Sequence, residues 1–556
     1  MAFKPFLSSS FTSILLIFLL PLLFSSVAKA ADICASTPYP SLCRSLPNNN
    51  NATANVYDYG RSSFTSSLSK ARTFLSLTQN FLQRNSDLTP GAIAALEDCR
   101  VLAELNVDNI LESSKVISQA QSLSTSEMES VHTLMSSILT NAQTCLDGLE
   151  QAAPSWSLKD GVSIPLVNAT KLYSVSLSLF KTGWVPKTMS MPVSYAPRTL
   201  GAFVNGRFPF KKAGQGSTNF EKLGGRKLLQ DGGGDYIVVS NIVIVSQDGT
   251  GDFSTINEAL SMAPNKTLAS AGYFVIYVTA GVYEEYVSIP KNNKYVMMIG
   301  DGINQTVITG NRSVADGFTT FNSATFAVVG DGFVAVNITF RNTAGGANHQ
   351  AVAMRSGADL STFYSCSFEG YQDTLYTHSN RQFYTECDIY GTVDFIFGNA
   401  AAVLQDCNIY PRLPLSGQFN AITAQGRTDI NQNTGYSIQN CNIRAADDLA
   451  SSSGSTQTYL GRPWKLYSRT VYMQSFMDSL INSLGWHEWS GTFALDTLYY
   501  AEYSNTGPKS DTSGRVTWTG YRPSLNETEA AAFTVTNFIS GDDWLPLTGV
   551  PYSSGL

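Results

Sequence analysis

Histidine is scarce in this chain: four in 556 residues, His132, His349, His378 and His487, none of them accompanied by a G-x-S-x-G elbow. That argues against a Ser-His-Asp hydrolase, which needs a serine raised on a tight turn and an imidazole to deprotonate it. Cysteine never recurs as C-x-x-C, so the usual zinc spacing is missing. A Gly-rich phosphate loop of Walker type is missing too, and with it the cradle for a nucleoside triphosphate. After residue 23 no stretch is long and apolar enough to span a bilayer. Charged residues make up only 14% against 43% hydrophobic, a balance that excludes a disordered chain and describes a globular one.

What is present begins with a leader. Lys4, the apolar run Ile14 to Leu23 and the triplet Ala28-Lys29-Ala30 match the three parts of a secretory signal, so residues 1–30 read as a signal peptide and the protein as secreted. An uncleaved anchor is the alternative, but the run is short for one. Secretion permits disulfides, and the eight cysteines fall into two sets, Cys34, Cys43, Cys99 and Cys145, then Cys366, Cys387, Cys407 and Cys441. Asn-x-Ser/Thr sites at Asn51, Asn168, Asn265, Asn304, Asn311, Asn337 and Asn526 agree with that route.

Residues 31–188 carry helical signals. FTSSLSKARTFLSLTQNFL, AIAALEDCRVLAELNVDNIL, SEMESVHTLMSSILTNAQTCLDGL and VNATKLYSVSLSLF each repeat apolar residues three and four apart, which predicts an all-α antiparallel four-helix bundle. Residues 189–235 lose the periodicity and gain Pro, Gly, Lys and Arg, a linker holding an exposed basic RKLL at 226–229 that a processing protease could cut. Residues 236–556 switch to short β-rich runs broken by Gly, Asn and Asp. Several runs align, with the cysteines marking the register: 366, 387, 407 and 441 are 21, 20 and 34 positions apart. Units of that length, too small to bury their own faces, predict a parallel β-helix; a propeller, with longer repeats, fits worse. Residues 1–229 hold 20 basic against 14 acidic side chains, net +6, and residues 230–556 hold 16 against 29, net −13. Opposite signs allow the front half to dock on the back half, or describe two solvated surfaces of different composition; the acidic half argues against nucleic acid as partner.

Stacking locates a candidate site. Asp373 and Asp394, in GYQDTLY and GTVDFIFG, are 21 positions apart, the same interval as Cys366 and Cys387. Neighbouring coils lie about 4.8 Å apart, so the two carboxylates should share one face and, by mutual repulsion, hold different protonation states. Two structural carboxylates satisfied by turn amides are the alternative. Gln350 lies 22 positions before Gln372, which adjoins Asp373, adding amide donors of the kind an acyl-transfer oxyanion needs. LGRPW adds Arg462, able to keep one aspartate ionised, and Trp464, able to stack on a sugar. His378 falls part-way round the coil and reads as a solvated turn residue. The apolar neighbours of Asp394 alone would raise its pKa and make it the acid, unless a cation such as Arg462 opposes them.

These blocks resemble a known family. GVYEE at Gly281, HQAVAMR at His349, GYQDTLY at Gly370, GTVDFIFG at Gly391 and LGRPW at Leu460 are similar, in order, to the signatures of the plant pectin methylesterases of carbohydrate esterase family 8, and ALEDC at Ala95 with TNAQTCLDGL at Thr140 resemble the pectin methylesterase inhibitor domain. The resemblance implies a right-handed parallel β-helix that hydrolyses methyl-esterified galacturonan in the cell wall, with no metal or cofactor, as a monomer. It implies Asp394 as nucleophile, Asp373 as general acid and then base, Gln350 and Gln372 as oxyanion donors, and Arg462 as the group that orients Asp394. Thr320, Gln350, Arg462 and Trp464 would touch substrate, with Tyr376, Phe397 and Trp486 in an aromatic cleft. It also implies bridges Cys34–Cys43 and Cys99–Cys145. Relatives often carry a cysteine where Thr339 stands, paired to the equivalent of Cys366; without it, Cys366 and Cys387 are expected free and Cys407 joined to Cys441. The front half would be an inhibitory pro-region released at RKLL by a subtilisin-like protease, and separate inhibitor proteins are further partners. A polygalacturonase, a calcium-dependent lyase or a wall-binding inhibitor module on a passive β-helix are the competing readings; the presence of Gln372, Asp373 and Asp394 together speaks against the last.

Overall fold

The computed structural model describes residues 33–47, 54–84, 88–152, 159–186, 210–212 and 237–556 apart from 454. The expected signal peptide and the RKLL processing site lie outside the described residues.

Four long helices build the front half: α1 (Val56–Gln83), α2 (Pro90–Ile117), α3 (Thr125–Ala152) and α4 (Ile164–Trp184). Their starts follow from local chemistry. Asn55 and Asp58 form a reciprocal capping box at α1, and the Thr89 side chain caps α2 with Pro90 in its first turn. Consecutive helices pack, and α1 closes against α4. The disulfide Cys99–Cys145 ties α2 to α3, and Cys34–Cys43 staples the segment that precedes α1, as the resemblance implies. Helix α4 is buried without a break from Leu172 to Phe180, because it serves three neighbours. Tyr173, Leu177 and Phe180 join the core of the helical half, Leu172, Val175 and Leu179 pack on the Cys34–Cys43 segment, and Ser174 donates to Asp429 of the β half at 2.5 Å.

From Ile237 on, the chain winds through three parallel sheets of 12, 8 and 7 strands, the first of which also takes in Phe210–Lys212. Successive strands pass from sheet to sheet, so each coil adds one rung to each. The 7-stranded sheet comprises β1 (Val287–Ile289), β2 (Phe326–Val328), β3 (Met354–Ser356), β4 (Leu375–Thr377), β5 (Ile396–Gly398), β6 (Asn420–Gln425) and β7 (Thr458–Gly461). Its inward residues Phe326, Met354, Leu375 and Ile396 enter a core with aromatic stacks such as Phe363 on Tyr384, at 4.7 Å between ring centroids. The structure is thus a parallel β-helix.

At one corner of six successive coils the chain turns through a single left-handed residue: Asn337, Ser365, Glu386, Asp406, Asn440 and Gln474 all have φ between 49° and 58°. The residue after each points inward and forms a ladder of Ile338, Cys366, Cys387, Cys407, Cys441 and Ser475. All four cysteines of this ladder are free thiols, so the expected Cys407–Cys441 bridge is not formed. Each thiol donates instead to a backbone carbonyl two residues back, as Cys407 does to Gln405 at 3.3 Å and Cys441 to Gln439 at 3.3 Å. Ser475 makes the same bond to Met473 at 3.0 Å; the position wants a small, weak donor, and cysteine supplies it.

Candidate active site

The outward side of the 7-stranded sheet forms a groove. Register stacks Ala327, Arg355, Tyr376, Phe397 and Ala424 on successive rungs of its floor, with Tyr376 and Phe397 stacked at 4.2 Å and Trp464 edge-on to Phe397 at 6.0 Å. Leu375 pairs with Ile396 across adjacent rungs, so Asp373 and Asp394, each two residues earlier, occupy equivalent places. Both sit in the left-handed region, with φ 61° and 53°, a conformation aspartate tolerates better than most residues. Both are buried, at 7% and 5% exposure.

The two carboxylates differ in their partners. Arg462, anchored by its own N–H to Thr423 O at 2.9 Å, holds Asp394 in a bidentate fork, Nε to Oδ1 at 2.8 Å and Nη2 to Oδ2 at 2.7 Å. The carboxylate of Asp373 receives no hydrogen bond from the described residues; its backbone N–H donates to Val393 O at 3.1 Å. Burial raises the Asp394 pKa and Arg462 pulls it back. Burial and then the charge of Asp394 push Asp373 well above the ordinary carboxylate range, with Arg462 opposing. Arg462 therefore leaves Asp373 the group more ready to carry a proton.

Thr320, Gln350, Gln372, Tyr376, Phe397 and Trp464 line the same cavity of about 490 Å³ as the two aspartates and Arg462, so nine of the ten residues singled out in the sequence converge. The tenth, Trp486, does not. It is 1% exposed and stacks on Tyr500 at 4.1 Å; it is core, because Gly461 bridges to it on the last rung and turns it inward. His378 is also corrected. It is 2% exposed, with Nε2 at 3.0 Å from Thr144 of α3 and Nδ1 at 3.0 Å from Ser379; the helical half covers it, which coil arithmetic on the β half alone leaves out. Trp489 lines the cavity too and holds Arg462 in a cation–π contact at 4.4 Å. It lies three residues from Trp486, outside every quoted block.

One wall of the cavity comes from the helical half, through Asp98, Thr144, Asp147, Gly148, Glu150 and Gln151. Lys465 pairs with Asp147 at 2.7 Å, and Lys291 pairs with Asp108. Gln432 donates to Ser136 O at 2.8 Å and Asn399 to Thr140 at 2.8 Å. Asp98 accepts from Thr319 at 2.5 Å and from Asn322. The halves do dock, but with signs reversed from their net charges: at these ion pairs the helices supply the acids and the β-helix the bases.

A parallel β-helix with two stacked carboxylates in an outward groove defines the class, a β-helical protein with a carboxylate-lined candidate site. Within it, the family model described as Pectinesterase matches residues 242–542, and the one described as Plant invertase/pectin methylesterase inhibitor matches residues 29–179. The chain is 56% identical to "Probable pectinesterase/pectinesterase inhibitor 41" of Arabidopsis thaliana over 95% of each chain, and 51% identical to "Pectinesterase 2" of Citrus sinensis over 83% of this chain and 82% of that one. Among solved structures it is similar to "Pectin methylesterase from Carrot", 57% identical, covering 56% of this chain and 98% of that chain with a TM-score of 0.55. The chain belongs to the pectinesterase family and carries a pectinesterase-inhibitor-like region ahead of its β-helix.

Proposed function

We propose that the protein hydrolyses methyl esters of cell-wall homogalacturonan to pectate and methanol, and is made as a pro-enzyme whose helical half blocks the cleft. One observation carries the reading: of two stacked aspartates, Arg462 holds one and leaves the other free to be protonated. Asp394, ionised, attacks the ester carbonyl carbon, and the carbonyl electron pair moves onto oxygen, where the Gln350 and Gln372 amides receive it. The intermediate collapses to an acyl-enzyme anhydride as Asp373 gives its proton to the departing methoxide, releasing methanol. Asp373, now ionised, takes a proton from water; the hydroxide adds to the acyl carbon, and collapse expels Asp394 as its carboxylate and leaves galacturonic acid, which gives its proton to solvent. Thr320, Trp464, Tyr376 and Phe397 hold the sugar chain along the groove. No metal or cofactor enters any step.

The same reading assigns residues 1–30 to a leader removed on secretion to the cell wall and residues 31–188 to an antiparallel four-helix pro-domain. Residues 189–235 are then a linker cut by a subtilisin-like protease at 226–229, and residues 236–556 a right-handed, monomeric esterase. Separate inhibitor proteins of the same helical kind would use the face that α2 and α3 cover. The test is methanol release from methylated pectin by residues 230–556, with and without Asp394→Ala. Release by the parent and none by the variant is the expected result; equal release by both would overturn the assignment.

A further inference from the structure

The fork from Arg462 to Asp394 uses Nε and Nη2, and Nη1 makes no hydrogen bond among the described residues. Two bonds to one carboxylate do not by themselves fix so long a side chain here. A second carboxylate, Asp373, stands one rung away in the same cavity and also attracts the guanidinium. Something else must keep Arg462 on one of the two.

Aromatic rings surround that choice. The guanidinium carbon lies 4.4 Å from the centre of the Trp489 ring and 5.4 Å from that of Phe419, both inside the range of a cation–π contact. Trp489 lines the cavity and Phe419 does not. Phe419 comes immediately before β6, which pairs with β7 through Asn420 and Thr458, and Arg462 comes immediately after β7. The Phe419 ring is itself held. The His487 imidazole stacks on it at 4.3 Å with 21° between the planes, and Tyr459 meets both rings edge-on, at 5.6 Å from Phe419 and 4.7 Å from His487. His487 is placed by its own N–H, which donates to Gly461 O at 3.0 Å, and its Nδ1 lies 2.7 Å from Glu488 O. Packing alone would be served as well by an aliphatic side chain at 419; a ring face toward a cation needs an aromatic one.

We infer that Phe419, braced by His487 and Tyr459, is a positioning residue: with Trp489 it confines Arg462 to Asp394, and so decides which of the two aspartates is the nucleophile. The inference rests on the esterase reading and goes beyond it, since that reading takes the fork as given. Without the Phe419 ring the guanidinium divides its charge between the two carboxylates. Asp394 then loses part of what opposes its burial, and its pKa rises. Asp373 gains a cation, and its pKa falls. The nucleophile must be ionised and the acid protonated, so the pH range in which both conditions hold shrinks from both sides. The other titratable groups around Arg462 are Tyr500, which burial keeps a neutral phenol, and His487 against the Phe419 ring, with Glu488 3.6 Å from its Nδ1.

The test is kcat against pH on methylated pectin, using the β-helix alone, since the carrot relative is a solved chain of that part by itself. The parent should give a bell. Phe419→Leu, which keeps apolar bulk and removes the ring face, should narrow the bell, the acid limb moving up and the alkaline limb down. Its kcat at the optimum should fall by about tenfold, the scale of one cation–π contact. KM should hardly change, because Phe419 does not line the cavity. Phe419→Tyr, which keeps the ring, should restore the parent's bell. The width of a bell does not depend on how much of the protein is folded, and where Phe419→Leu does not fold at all, the more adaptable Phe419→Met reads the same width. A bell of the parent's width in the variant without a ring, whatever its height, would overturn the positioning role while leaving the esterase intact. A narrowed bell that Phe419→Tyr shares would do the same. No methanol from the parent at any pH would instead overturn the esterase reading beneath it.

Discussion

Asp373 and Asp394 stand on equivalent positions of adjacent coils, yet Arg462 forks onto Asp394 alone, with bonds of 2.8 and 2.7 Å. The difference between the two carboxylates is therefore made by one side chain arriving from a third coil, at the end of β7. Replacing Arg462 with Gln should leave Asp394 buried without its cation and raise its pKa. On the proposed mechanism Asp394 must be ionised to attack, so the acid limb of the kcat–pH profile should move to higher pH, and kcat should fall by about a hundredfold or more, as when one preorganised electrostatic partner is removed. KM should change far less. Arg462→Lys restores the charge without the fork and should recover only part of kcat. A pH–rate profile for the three proteins is the check; an unshifted acid limb would remove the role.

The reverse coupling is equally specific. Burial is the first cause of the raised Asp373 pKa and the Asp394 charge the second. In Asp394→Asn the second cause disappears, so the Asp373 pKa should fall, yet stay above an ordinary aspartate because burial remains. Titration of Asp373 followed by carbon-13 NMR in both proteins would show it. A rise, or a return to the ordinary value, would contradict the order of causes.

Much of the fold was legible because stacking is arithmetic. Cys366, Cys387, Cys407 and Cys441 sit on one ladder at the intervals the sequence shows, and the same arithmetic brings Asp373 over to Asp394. What failed was what a ladder does not encode. The resemblance, with Thr339 in place of a cysteine, left Cys407 and Cys441 as the expected bridge, but each thiol has a carbonyl acceptor along its own chain. Trp486 and Trp489 are three residues apart, with His487 and Glu488 between them, and no local pattern tells that the first turns inward beside Gly461 while the second faces Arg462. His378 and Asp98 depend on contacts between halves more than 200 residues apart in sequence, beyond any local pattern.

The thiol ladder predicts a count. With two disulfides among eight cysteines, denatured protein should titrate four thiols and folded protein none on the same timescale, since all four are at most 1% exposed. Cys441→Ser should cost little, because Ser475 already fills the next rung with the same bond. Thermal melting of that variant checks it; a loss of several degrees or more would mean the sulfur packs in a way the hydroxyl does not.

Docking of the helical half should depend on pH in both directions. Asp98 is pushed up to about 7 by burial, so docking takes up a proton there, and its contribution weakens as pH rises from the ordinary aspartate range through about 7. His132, whose Nε2 lies 2.7 Å from Asn431 O, and His378, against Thr144, are buried and pushed down to about 4 and about 3. They must dock neutral, so docking also weakens as pH falls below about 6.5, where the free imidazoles gain protons. Near pH 5 the two imidazoles outweigh the one carboxylate, and only near pH 7, where the free imidazoles are mostly neutral, does the carboxylate balance them. The tightest association is therefore expected close to pH 7, with a shallow decline above it. Inhibition of the β-helix by the separately made helical half, measured from pH 4.5 to 8.5, should pass through a maximum there. Asp98→Asn should flatten the alkaline side and His378→Gln should soften the acid side. Inhibition that varies in only one direction with pH would assign the linkage to one kind of group alone.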